Sequence, residues 1–257
     1  MKAMIYAAGL GTRLRPLTDD RPKALIEVGG KPMLQHVIEN IKKAGITRAV
    51  VNVHHFAGKV IDFLDRNGNF GIDIAISDES DRLLDTGGGL LKARTLLDGD
   101  EPILLHNADI LTDLDLRLMK MRGDATLLVG SRGSSRRLVF DHNDGNNVSA
   151  DGSDMMQLCG WIDTASGATR PDGFIYDPSR HTTRSFNGIH LFSPALFPAL
   201  EDYSRSAGSD AFSITPFYVA ASGTHSIYAT EPDGYSWFDI GRPETLAAAD
   251  RHLRDRN

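Results

Sequence analysis

Three cations, Arg13, Arg15 and Lys23, follow closely on a turn that contains two glycines, Gly9-Leu10-Gly11-Thr12. The turn ends a short apolar run, Ala3-Met4-Ile5-Tyr6-Ala7-Ala8, of the kind that forms a buried strand. Glycine lets backbone come close to a ligand and leaves its amide N–H unshielded. Exposed amides beside guanidinium and ammonium groups suit a polyphosphate, because every donor can face an anionic oxygen. The expected ligand is a nucleoside triphosphate (NTP), cradled by Ala8, Gly9, Gly11 and Thr12. Two better-known phosphate motifs are excluded. A P-loop needs G-x-x-x-x-G-K-[ST], and no Lys-Ser/Thr follows either glycine at that spacing. A dinucleotide fingerprint needs a third glycine where Leu14 stands, which also argues against a hydride-transferring oxidoreductase. The G-x-G pair alone fits a plain chain reversal, so the weight rests on the cations and on Arg21-Pro22-Lys23.

The residues A-A-G-L-G-T-R-L-R-P-L-T, followed by R-P-K-A-L-I-E-V-G-G-K-P-M, resemble the signature of sugar-1-phosphate nucleotidyltransferases, which make nucleoside-diphosphate sugars. The likeness is nearly position for position. It implies a nucleotide-diphospho-sugar transferase (GT-A-like) fold. It also implies that Lys23 contacts the nucleotide phosphates and that Arg13 steadies the departing pyrophosphate.

Nucleotidyl transfer must align a sugar phosphate with the α-phosphate, neutralise the leaving pyrophosphate and stabilise charge gathering on the α-phosphate. A divalent cation performs the last task, and Mg2+ commonly takes one or two carboxylates besides phosphate oxygens and water. Two aspartates at strand ends are therefore sought. Asp109 follows the apolar run 102–105 in His106-Asn107-Ala108-Asp109, which resembles the family's N-G-D motif with alanine for glycine. Asp239 lies in Trp237-Phe238-Asp239-Ile240-Gly241-Arg242-Pro243, which resembles the family's W-x-D-x-G motif. Both are expected to hold the metal, although they stand 130 positions apart. The alternative for each is an ordinary helix cap.

Asp85-Thr86-Gly87-Gly88-Gly89 reads as an exposed-amide helix start. By resemblance it lies against the nucleobase, with Asp85, Gly87, Gly88 and Asn107 counted among the nucleotide-binding residues. The motif looks most like the E-T-G-G-G of bacterial N-acetylmuramate-1-phosphate uridylyltransferases. A helix start without a ligand is the alternative. Phe186-Asn187-Gly188-Ile189-His190 resembles the sugar-side strand, where Asn187 and Gly188 let the acceptor approach; an edge strand with a bulge reads equally well. Many larger relatives grip the sugar phosphate with a lysine in an E-K-P motif. Here all eight lysines lie between Lys2 and Lys120. Arg184, Arg136 or Arg137 is left to substitute, since arginine binds phosphate bidentately.

The elements that must position these residues follow from periodicity. Short apolar runs at 48–53, 72–77, 102–106 and 125–129 alternate with helical patterns at 33–41, 57–64 and 88–97. That alternation predicts a mixed, mainly parallel Rossmann-like sheet covered by helices. Turn formers at 141–147 and 168–173 mark an antiparallel hairpin excursion over 131–184. Strand character resumes at 186–192, and helices are expected at 194–200, 213–221 and 243–254, with Trp237 in the core. The 257 residues are read as one domain, 1–130 binding nucleotide and 131–257 the sugar phosphate. No tandem hexapeptide pattern occurs, so a C-terminal β-helix is not expected.

Bulk properties narrow the rest. Lys+Arg 28 against Asp+Glu 34 gives a net charge of −6, which disfavours nucleic acid as a partner. The single cysteine, Cys159, sits in an apolar run and excludes both an internal disulfide and a cysteine-cluster zinc site. His54-His55 would face opposite sides of a strand and make poor joint ligands. With neither a signal-peptide pattern nor a membrane-length apolar run, a cytoplasmic monomer or small homo-oligomer is expected. The resemblance favours UTP with N-acetylmuramate 1-phosphate, ahead of a GTP-dependent mannose- or heptose-1-phosphate enzyme and a CTP:phosphocholine enzyme. A non-catalytic nucleotide-sugar sensor should have lost Lys23 or a metal aspartate, and both kinds of residue are present.

Overall fold

Apolar runs that lack polar alternation can be buried on both faces of a sheet, and here they are. The computed structural model describes residues 1–142 and 156–255. Its first half contains β1 (Lys2–Tyr6), β2 (Glu27–Val28), β3 (Lys31–Pro32), α1 (Met33–Lys43), β4 (Arg48–Val53) and α2 (Ala57–Arg66). There follow β5 (Asp73–Asp78), α3 (Asp85–Lys92), β6 (Ile103–Asn107), β7 (Ile110–Thr112) and β8 (Ala125–Gly130). The second half contains β9 (Arg136–His142), β10 (Met156–Asp163), β11 (Thr169–Arg170), β12 (His181–Phe192), α4 (Phe197–Ala207) and α5 (Ile214–Ala221). It ends with β13 (Ile227–Thr230), β14 (Trp237–Asp239) and α6 (Pro243–Arg254).

Ten strands form one sheet in the order β11-β10-β13-β8-β12-β6-β1-β4-β5, with β9 paired to both β10 and β12. The parallel pairings β6–β1–β4–β5 belong to the first half. Antiparallel pairings gather around β12, which lies between β6 and β8. Alternate residues of β1 enter two cores: Ala3 and Ile5 meet Leu34, Val37, Ile38 and Ile41 of α1, whereas Met4 faces the side that holds Leu90, Phe197 and Phe217. The five apolar residues of α1 are buried, and Gly45 (φ +82°) provides the left-handed stop after it.

Three expectations change. The segment 186–192 is part of a continuous twelve-residue strand that starts at His181; its residues 181–184 pair with β9, and pairing with β8 begins at Ser185. That strand is central, not an edge, and its register against β8 shifts between Phe186 and His190, where Gly188 takes φ +76°. β13, a parallel neighbour of β8, was not expected because a run of four residues is too short to establish a period, even between turn formers at 222–226 and 231–234. The turn expected at 141–147 falls largely outside the described residues. None of the described helices is long and apolar enough to cross a membrane.

Candidate active site

β1 ends beside β6, with Tyr6 in register with Asn107, so the turn after β1 lies at the carboxyl ends of the parallel strands. Ala7 N donates to Asn52 Oδ1 at 2.7 Å, which fixes the start of that turn. Gly11 has φ +65°, and a Cβ there would lie 2.9 Å from Thr18 Cγ2 and 3.0 Å from Lys23 Cβ. Only glycine lets the loop fold back on these residues. A Cβ at Gly9 would meet nothing within 4 Å, because Gly9 borders an open cavity of about 380 Å³. Ala8, Lys23, Asp85, Asn107 and Asp109 also line it. Thr12 and Arg13 follow on an exposed turn, and Arg13 Nη2 would lie 3.2 Å from a Cβ on Gly241.

The distant aspartates meet through a small second sheet. β14 pairs antiparallel with β7, Asp239 opposite Ile110, and Ile240 N donates to Asp109 O at 2.8 Å. α6 holds β14 in place, since Ala249 packs with Leu111 and Ile240 in a third core. Lys23 Nζ forms an ion pair with Asp109 Oδ2. Asp239 Oδ1 is buried without a hydrogen-bond partner among the described residues, and Oδ2 lies 4.0 Å from Arg132 Nη1. Burial, reinforced by the charge of Asp109, holds the Asp239 carboxyl above the usual carboxylate range. An unpartnered buried carboxylate oxygen within electrostatic reach of a second carboxylate is a donor set that fits a hard divalent cation. Among the described residues no group of three or more His, Cys, Asp or Glu could ligate a metal, so two carboxylates plus phosphate oxygens is the arrangement available.

The triple glycine behaves differently from expectation. Gly87 N and Gly88 N donate to Phe212 O at 2.8 and 3.2 Å, so neither amide is open to a base. A Cβ at Gly87 would lie 2.4 Å from Phe212 Cε2, and one at Gly88 1.9 Å from Asp210 O. One at Gly89 would lie 2.7 Å from Glu79 Oε1. The three glycines thus admit segment 210–212 and the buried Glu79 against α3. Asp85 itself is exposed at φ +60° and accepts from Thr86 N at 2.6 Å. Sequence reasoning missed Glu79, whose Oε1 accepts from Asn52 Nδ2 at 2.7 Å and whose Oε2 accepts from Leu84 N at 3.1 Å. With the Asn52–Ala7 bond, this chain of hydrogen bonds ties the glycine turn to the Asp85 turn across the cavity.

In the second half, a Cβ at Gly188 would lie 2.8 Å from Asn107 Nδ2, so the bulge brings Asn187 and Gly188 against the end of β6. Asn187 is buried; its Nδ2 donates to Tyr235 Oη at 3.4 Å and its carbonyl accepts from Trp237 Nε1 at 2.9 Å. Arg184 is not brought into the site. Its Nε pairs with Glu231 Oε2 at 2.6 Å, and it lines neither the nucleotide cavity nor its neighbour. Arg137 braces a loop, donating to Ser134 O at 3.0 Å and Arg132 O at 3.3 Å. Arg136 lines the neighbouring cavity of about 980 Å³.

Arg132 was missed altogether. Its guanidinium stacks 4.7 Å from the Trp237 ring centroid, donates to Phe186 O and approaches Asp239. Trp237, expected in the core, packs half-buried against the first core and offers its ring to this cation. Only the position of Arg132, just beyond the carboxyl end of β8, could have signalled it. His54 Nδ1 contacts Glu79 O at 2.6 Å, a structural role. Burial pushes the Cys159 thiol up to about 12, unsuited to a nucleophile.

The profile of the family described as nucleotidyl transferase matches residues 2–126. The chain is 31% identical to N-acetylmuramate alpha-1-phosphate uridylyltransferase of Caulobacter vibrioides over 258 residues, covering 98% of this chain and 97% of that one. The uridylyltransferase of the same name from Neisseria meningitidis is 47% identical over 116 residues, 45% and 49% of the two chains. Mannose-1-phosphate guanylyltransferase 1 of Arabidopsis thaliana is 31% identical over 95% of this chain, which spans 62% of that protein. Among solved structures, apo UDP-glucose pyrophosphorylase superposes with a TM-score of 0.75 at 17% identity, covering 99% and 98% of the two chains. That likeness shows the nucleotide-sugar pyrophosphorylase (GT-A-like) fold.

Proposed function

The chain belongs to the nucleotidyl transferase family, and we propose that within it the substrates are UTP and N-acetylmuramate 1-phosphate. Members of this sugar-1-phosphate nucleotidyltransferase class condense an NTP with a sugar 1-phosphate to give an NDP-sugar and pyrophosphate. The observation that carries the site assignment is the convergence of Lys23, Asp109 and Asp239 where the glycine turn meets β7 and β14. The substrate pair is supported by end-to-end similarity to a uridylyltransferase of matching length, against 62% coverage of the guanylyltransferase.

Mg2+ is the proposed metal, held by Asp109 and Asp239, where it would supply Lewis-acid stabilisation of charge on the α-phosphate. The remaining work falls to side chains. Lys23 exchanges its Asp109 partner for phosphate oxygens, and Arg13 neutralises the departing pyrophosphate. Gly9 leaves room for backbone approach. Arg132, held by Trp237 and Phe186, faces the sugar phosphate and replaces the lysine that this half lacks. An oxygen of the sugar phosphate attacks the α-phosphorus, and the bond to the β-phosphate oxygen breaks. The nucleophile is already an anion at neutral pH, so no general base is required.

Pyrophosphate release should be measured for UTP, GTP, CTP and dTTP against a panel of sugar 1-phosphates. The highest kcat/KM is expected for UTP with N-acetylmuramate 1-phosphate. A preference for GTP with mannose 1-phosphate overturns the substrate pair. Nucleotide binding without turnover for any pair overturns the catalytic reading in favour of a sensor.

A further inference from the structure

We propose that Arg136 recognises a second anion on the acceptor, the carboxylate of the lactyl ether, and so makes the cavity beside the metal aspartates selective for acidic sugar 1-phosphates. This rests on the reading of the acceptor as N-acetylmuramate 1-phosphate. That sugar carries a phosphate and a carboxylate on separate carbons of one ring, whereas its neutral counterpart, N-acetylglucosamine 1-phosphate, carries the phosphate alone.

The cavity of about 980 Å³ matches such a ligand in size and in the placement of its cations. Arg132 lines it on the side of Asp239. Arg136, the first residue of β9, lines it four residues further on, a reach of at most about 14 Å along extended chain. Alternation along β9 sends Arg136 and Leu138 to the cavity, while Arg137 turns away and clamps the carbonyls of Arg132 and Ser134. The clamp sets the spacing between the two cations. Leu138, Trp161 and Phe186 supply an apolar wall between them for the ring face and the acetyl methyl.

The other charges on this wall leave Arg136 as the group to meet a carboxylate. Arg170 pairs with Asp172 at 3.0 Å. Asp163, which also lines the cavity, stands opposite Arg136 across the β9–β10 pair and feels its charge, while its carboxylate accepts from Ala165 N at 3.0 Å. Among the described residues no ion pair within 4.0 Å engages Arg136. Arg136 is exposed and lines the cavity beside Asp163, and a guanidinium fork can bind an incoming carboxylate bidentately.

The test compares kcat/KM for N-acetylmuramate 1-phosphate and N-acetylglucosamine 1-phosphate, with UTP, in wild-type protein and in Arg136→Ala. The preference for the acid should fall about 10- to 100-fold, the value of one charge-assisted hydrogen bond, chiefly through KM for the acid. Arg136→Lys should restore part of that preference. A melting temperature shared with wild type excludes a folding defect, and Arg170→Ala, already paired to Asp172, should leave the preference intact. Wild-type protein that uses the muramate substrate while Arg136→Ala keeps the same preference overturns the role of Arg136 alone. Wild-type protein that does not use it overturns the substrate assignment and this inference together.

Discussion

An ionised carboxylate with an unpartnered buried oxygen beside a second carboxylate weakens its own fold, and Asp239 is in that position. Its folded-state pKa lies above the ordinary value, so the cost is absent in acid and grows as pH rises through that raised pKa. Asp239→Asn should therefore raise the melting temperature in EDTA at neutral pH while pyrophosphate release falls about 10²-fold or more, the usual loss when a charge-stabilising group leaves a polar site. A lower melting temperature would contradict the reading. Single residues were largely legible. Lys23, Asp109 and Asp239 were recognisable from local motifs, and the structure brings all three together. Arg132 was not, because an arginine in a loop has no local signature until Trp237 and Asp239 stand beside it.

At the scale of elements, the two glycine-rich turns look alike in sequence and do opposite things. A Cβ at Gly9 meets open space, whereas one at Gly88 would lie 1.9 Å from a backbone carbonyl. In urea unfolding, Gly88→Ala should cost at least the roughly 1–3 kcal/mol of core overpacking, and Gly9→Ala should leave stability within about 0.5 kcal/mol. Gly9→Ala should instead raise KM for the nucleotide. The reading of Gly87 and Gly88 as free amides failed because what occupies them, the Phe212 carbonyl, comes from more than 120 positions away. The Glu79–Asn52 bridge was hidden for the same reason: three segments must meet before its hydrogen bonds exist.

For the whole molecule, one sheet runs through both halves, and its central strands carry His106 and His190. Burial depresses them to about 4 and about 3, below the ordinary 6.5. The unfolded chain takes up those protons first, so stability should fall as pH drops below about 6.5, at about 1.4 kcal/mol per pH unit for each histidine. The part due to His106 should level off near its folded value. Unfolding followed by far- and near-UV circular dichroism from pH 7 to pH 4 checks this, and coincident transitions are expected because the halves share the sheet. A stability independent of pH over that range would refute it. The sequence by itself determined the strand–helix alternation, the glycine turn with its cations and the two aspartates, Asp109 and Asp239, that lie on the paired strand ends, since each depends on near neighbours along the chain. Only the tertiary structure decided that β12 is central, that Arg184 is engaged elsewhere and that Arg132 and Arg136 share one cavity. Those outcomes depend on strand order and on pairings between distant segments, which local periodicity does not encode.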